Sequence, residues 1–264
     1  MSPAALPMYD RAEVRAANAR LWTAIRDHLR LIWQQDGTPG WPLPETLSQP
    51  QDLWAHWLSP DLAFSQTCGL PLVDRLRGKV AMIGTPDYGL PDCPRGYYNS
   101  VFVMRADDAR DTPADWPALR LAVNSRNSQS GWCAPQNYMA ARGLSFSDVL
   151  LSGAHQRSAE AVAQGAADIA CIDAQTWRMI SRWDDVARDL REVGRTAPTP
   201  GLPFITAHGR DTAAPYRAIE HAIADLSKAD CDLLNIRSLT RLPFASYDAV
   251  ARPPFPRAQV SKHA

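Results

Sequence analysis

The chain has no bias of charge. Lys and Arg number 28 and Asp and Glu number 28 among 264 residues, so the formal net charge is zero. Nucleic-acid and membrane-surface partners normally demand a basic excess gathered on one face. Neither an excess nor a basic run with interleaved aromatics occurs, and neither partner is expected. Long apolar runs are missing too. No window approaches the roughly 18 consecutive apolar residues of a membrane helix, so direct membrane insertion is not expected.

Cysteine is scarce. Cys68, Cys93, Cys133, Cys171 and Cys231 are odd in number, widely spaced and form no CxxC pair. That pattern argues against a disulfide framework or a zinc site and predicts reduced, mostly buried thiols. No metal or cofactor is expected. GxSxG, HExxH, the P-loop and the dinucleotide glycine fingerprint are all absent. The opening MSPAALPMYDRAEVR lacks a basic n-region and has too short an apolar run for a signal peptide. As written the chain is expected to be cytoplasmic, or periplasmic if an export signal has been omitted.

What is present is a core-forming α/β pattern. Hydrophobic residues make up 45% of a 29.1 kDa chain, which suits two lobes. ALPMYD reads as a short strand ending in Tyr9 and Asp10. From residue 11 to 33, apolar residues at 14, 17, 21, 22, 25, 29 and 32 mark an amphipathic helix. Strands are then expected at DLAFSQ, KVAMIGTP, YYNSVFVMRADD, LRLAVN, DVLLSG, ADIACID, LREVGRT and LPFITAH. Helices fall between most of them, and APYRAIEHAIADLSKA closes the series as one helix. The tail ARPPFPRAQVSKHA is too proline-rich for regular structure. Such alternation predicts mostly parallel sheets, with binding groups beyond the carboxyl ends of the strands. Tyr9, Gln66, Thr67, Thr85, Tyr88, Asn124 to Gly131, His155 and Asp173 all follow a predicted strand directly.

Two readings stand for each of these. The turn NSRNSQSGW, residues 124–132, leads from a strand into a helix. A helix N-terminus offers free N–H groups and positive dipole density. Ser128 and Ser130 would add neutral donors there, and Gly131 permits close backbone approach. The plainer reading makes one serine an N-cap, worth about 1 kcal/mol. His155, at another strand-to-helix junction, either donates to an anion while neutral or packs locally. Asp173 either receives a ligand's ammonium or hydroxyl or caps the next helix. Tyr9 and Tyr88 either line a cleft or pack within a lobe. Gln66 and Thr67 end another predicted strand, where backbone groups would supply donors, and Gln129 is a longer amide within the serine turn.

Several pieces in order resemble a known family: N-S-Q-S-G at 127–131, SGAH at 152–155, AVAQGAAD at 161–168 and CID at 171–173, with LPMYD and TAPTPGLPFIT outside them. Together they are similar to the phosphonate/phosphate-type solute-binding proteins of ABC transporters. The resemblance implies a two-lobed type-2 periplasmic-binding-protein-like fold with a two-segment hinge and an inter-lobe cleft. Lobe one would hold 1–103 plus 203–264, and lobe two 104–202. It implies a non-catalytic protein that captures a small anionic or zwitterionic ligand of phosphate, phosphite or phosphonate type, with an ABC transporter permease as possible partner. The family's Ser-Thr-Ser-Gly turn carries Gln129 here in place of Thr. The alternative is an enzyme on the same fold, of cofactor-pyrimidine or menaquinone-pathway type.

Overall fold

The computed structural model describes residues 2–250 and 259–261. In chain order the strands are β1 (Ser65–Gln66), β2 (Val80–Asp87), β3 (Tyr97–Tyr98), β4 (Ser100–Arg105), β5 (Arg120–Val123) and β6 (Asp148–Leu151). They continue with β7 (Ile169–Asp173), β8 (Leu190–Arg195), β9 (Thr199–Pro200), β10 (Phe204–Ala207), β11 (Ser238–Thr240) and β12 (Gln259–Ser261). The helices are α1 (Ala12–Asp36), α2 (Leu53–Trp57), α3 (Gly69–Pro71), α4 (Ala134–Ala140), α5 (His155–Ala163), α6 (Ala174–Trp183), α7 (Ala213–Ala224) and α8 (Lys228–Leu234).

The described residues form two compact units. One holds the chain up to Pro91 together with Pro200–Ser246; the other holds Asp92–Thr199 and the residues from Tyr247 onward. The sequence places the crossings at 103/104 and 202/203, and the structure moves both earlier. For the first crossing the reason is β4, whose whole length pairs with β7 and β8 of the second unit. The residues from Tyr247 onward, expected in lobe one, fall in the second unit instead.

In the first unit, α1 buries Val14, Ala17, Leu21, Trp22, Ile25, Leu29 and Ile32, the predicted apolar stripe. It ends at Gly37, whose φ of 63° is left-handed. Leu29, Ile32 and Trp33 pack on Ala214 and Ala218 of α7, and Trp22 stacks on Phe64 at 5.5 Å. The sheet order is β1-β10-β2-β11, and every pairing is antiparallel. This corrects the expectation of mostly parallel sheets. β10 and β11 are two ends of one crossover through α7 and α8, so they run the same way. β2 is inserted between them in the opposite sense.

The second unit repeats that device. Its order is β12-β6-β5-β7-β4-β8. β12, β6, β5 and β7 are mutually parallel, whereas β4 runs antiparallel to both β7 and β8. Every residue of β7 is buried, as expected for a central strand covered on both faces.

Four local expectations are also corrected. ALPMYD forms no strand: the isolated bridge lies just before it, Ala4 with Phe64, and Met8 and Tyr9 make a turn. YYNSVFVMR breaks at Asn99 into β3 and β4. The closing helix splits at Leu226, because Ser227 accepts from Asp230 N and caps a second helix. In the tail, most of 251–264 lies outside the described residues, yet Gln259–Ser261 pairs with β6. None of the five cysteines is joined in a disulfide, but only Cys133 and Cys171 are buried, and burial pushes the Cys171 thiol up. Among the described residues no helix is long and apolar enough to cross a membrane, and no cluster of metal-ligating side chains is found.

Candidate functional site

The polar turn after β5 is built from its own short side chains. Ser128 N donates to Ser125 O at 3.1 Å, and Asn127 N to Ser125 Oγ at 3.1 Å. Ser128 is extended (φ −94°, ψ 130°), and its Oγ accepts from Gly131 N at 3.0 Å. The plainer reading is therefore present: Ser128 is the N-cap. The helix opens as a π-turn over Gln129–Cys133 and continues as α4.

A π-turn widens the first turn, and Gly131 shows what uses the space. A Cβ at that position would lie 2.0 Å from Asn124 Oδ1 and 3.1 Å from His155 Cε1. Only glycine lets these two side chains close on the turn. His155 arrives there because Ser152 ties β6 to β5. Its N–H and hydroxyl reach Val123 O at 2.9 and 3.2 Å, and its Oγ lies 2.7 Å from Ser158 Oγ. α5 then starts at His155 itself.

The result is a relay of hydroxyls ending on a ring. Ser128 Oγ is 3.2 Å from Ser130 Oγ, which is 2.9 Å from His155 Nε2. Both serines are buried. His155 as a whole keeps partial exposure, but its Nδ1 is buried and has no partner among the described residues. Burial draws its pKa from 6.5 down to about 4, so the ring is neutral near pH 7. The tautomer follows from the orphan. A proton on Nδ1 would bury an unsatisfied N–H, while a proton on Nε2 leaves only an idle lone pair, the cheaper defect. With the proton on Nε2, His155 donates to Ser130. The serine hydroxyls are then free to point their own protons onward. Asn124 Oδ1 is a second buried atom without a partner among the described residues.

Of the other expected residues in this unit, Gln129 is fully buried within the same turn. Asp173 ends β7 and accepts from Thr176 N at 3.0 Å as the N-cap of α6. In the first unit Tyr9, Gln66 and Tyr88 come together. Tyr9 and Tyr88 meet edge to face at 5.2 Å. Gln66 Nε2 donates to Tyr88 Oη and to Leu202 O, each at 3.1 Å. Thr67 is buried beside them, with its N–H on Pro203 O at 3.1 Å. Asp10, next to Tyr9, pairs instead with Arg15 at 2.9 Å and Gln49 at 3.1 Å.

Asn99 was missed by sequence reasoning. It is buried at the break between β3 and β4, its Oδ1 has no partner among the described residues, and its carbonyl accepts from Ala174 N of α6. The trace it left is a lone amide inside the aromatic and β-branched run YYNSVFV.

Residues 60–250 match the family model for the periplasmic substrate-binding protein of phosphonate ABC transporters. The chain belongs to that family. No curated protein sequence matches it. Among solved structures, PhnD1 from Prochlorococcus marinus in complex with methylphosphonate aligns over 94% of this chain and 95% of its own, at 15% identity and a TM-score of 0.71. XAC2383 from Xanthomonas citri bound to ATP covers 95% and 98%, at 16% identity and 0.66. A binding-protein component of a phosphonate ABC transporter from Pseudomonas aeruginosa covers 91% and 82%, at 16% and 0.59. At such identities the likeness shows the fold alone, an α/β fold shared with periplasmic binding proteins.

Proposed function

We propose that this chain is the recognition component of an ABC-type uptake or sensing system and binds a phosphonate- or phosphate-type oxyanion on the turn at 124–131. The observation that carries this is the relay from His155 Nε2 through Ser130 to Ser128, at 2.9 and 3.2 Å, at the start of a helix. Neutral donors at the positive end of a helix dipole stabilise an anion without a buried cation to desolvate. The family supports transport, and a permease is the partner this reading requires. Asp173 and the Tyr9, Gln66, Thr67 and Tyr88 cluster are proposed as further ligand neighbours.

The enzyme reading has one observation to recommend it: Ser130 and His155 are placed like a nucleophile and its base. Two features weigh against it. A working pair needs a third group to orient the ring and stabilise its cation, and His155 Nδ1 has no partner among the described residues. A ring with a pKa of about 4 is also a poor base at neutral pH.

Calorimetric titration with phosphate, phosphite, methylphosphonate and sulfate tests the proposal. At least one should bind, and Ser130→Ala should weaken it by about 1–3 kcal/mol, roughly five- to more than a hundredfold. Unchanged affinity in Ser130→Ala would remove the relay from the site. Turnover of a bound compound would restore the enzyme reading.

A further inference from the structure

The serine turn accounts for one phosphorus group, and the second unit offers much more room. A cavity of about 790 Å³ runs from Gln129 along the flank of α4 and faces the segment after β8. Volumes of about 300–1,000 Å³ suit whole drug-sized ligands rather than a lone oxyanion. Of the turn's residues only Gln129, which stands between Ser128 and Ser130, is among the cavity's lining. Asn137, Tyr138 and Arg142 continue the wall on the helix side, with Arg195 and Thr196 opposite.

The far end of this wall is stiff and positively charged. Phe102 and Trp116 hold the Tyr138 ring, with centroids 4.9 and 5.7 Å away. Arg142 lies with its Cζ 3.6 Å from that ring's centroid and donates from Nη1 to Tyr138 O at 2.9 Å. Anchored twice, it has no carboxylate partner among the described residues. Arg195, by contrast, pairs with Glu192 at 2.6 Å. Asp248 also lines the cavity. Thr196 is fixed by accepting from Ser100 N at 3.0 Å.

Tyr138, over whose ring Arg142 lies, is nine positions beyond Gln129, the first turn of them π and the rest α. At the α-helical rise of 1.5 Å per residue they span at most about 13 Å. We propose that the ligand is an elongated organophosphorus compound whose second anionic group, about 10–15 Å from the phosphorus, is read by Arg142. This rests on the binding role of the serine turn given above. It goes further by naming a class that inorganic phosphate, phosphite and methylphosphonate do not satisfy.

Three compounds make the test: methylphosphonate, phosphonoacetate and a longer ω-carboxyalkylphosphonate whose spacer spans the cavity. Each is titrated calorimetrically into the native chain, into Arg142→Gln and into Ser130→Ala. The long compound should bind at least about tenfold more tightly than methylphosphonate. Arg142→Gln should erase that gain and leave methylphosphonate affinity unchanged within about twofold. Ser130→Ala should weaken all three. Equal affinities across the series, or a gain that survives Arg142→Gln, would overturn the inference while leaving the serine turn intact. If none of the three binds, and phosphate does not either, the binding reading itself fails and this inference falls with it.

Discussion

The two units finish their strand ends in different ways. In the first, both protons of the Gln66 amide nitrogen are spent inside the protein, on Tyr88 Oη and Leu202 O, and the two tyrosine rings brace each other. In the second, the polar chain stops short: His155 Nδ1 and Asn124 Oδ1 have no partners among the described residues. A buried polar atom without a partner costs about 1–3 kcal/mol, a defect seldom kept without a use. The first cluster is finished as a wall. On the reading proposed above, the second is completed by its ligand.

Gly131→Ala attacks this contrast where it is sharpest. The new methyl would fall 2.0 Å from Asn124 Oδ1 and press on His155, and overpacking of this kind costs about 1–3 kcal/mol of stability. Affinity for the oxyanion should fall by more than about a hundredfold, or 2.7 kcal/mol, while circular dichroism still reports a folded chain. Binding that survives would mean the closed turn is ordinary packing and the two clusters are alike.

Next in size is a pH effect. The unfolded imidazole takes up a proton near pH 6.5, but the folded one only near 4. Between those values the unfolded chain holds more protons. Stability from this group is therefore complete above pH 6.5 and declines as the pH falls towards 4, by on the order of 3 kcal/mol. Urea midpoints at several pH values should show a smaller acid-side loss in His155→Asn than in the native chain. Parallel curves for the two proteins would show that the ring is not held neutral by burial, and with that the outward polarity of the relay would lose its basis.

How legible was this in the sequence? Short-range chemistry was easy to read. The stripe of α1, the N-cap at Asp173 and the small polar turn at 124–131 each announce themselves within a few residues, because spacing and side-chain reach decide them. Strand direction was not readable, since β2 and β4 are inserted between the ends of crossovers formed by residues more than a hundred and about seventy positions away. Such pairing leaves no local periodicity. The approach of Asn124 to Gly131 was equally hidden: a glycine after a serine turn looks like any helix start until the atom occupying its Cβ position is known. Asn99 shows the same limit: its carbonyl accepts from Ala174 N, at the start of a helix far along the chain.

The smallest predicted effect discriminates most finely between the clusters. Tyr88→Phe deletes the hydroxyl that accepts from Gln66 Nε2 and keeps the ring against Tyr9. Gln66 retains Leu202 O, so the loss should be one hydrogen bond, about 0.5–1.5 kcal/mol of stability in a denaturant titration. Oxyanion affinity should change by less than about threefold, below 0.7 kcal/mol. A drop as large as that of Ser130→Ala would mean the Tyr88 hydroxyl meets the ligand. The Gln66 bond would then be only what that hydroxyl does while it waits, and a satisfied polar group would no longer mark a wall.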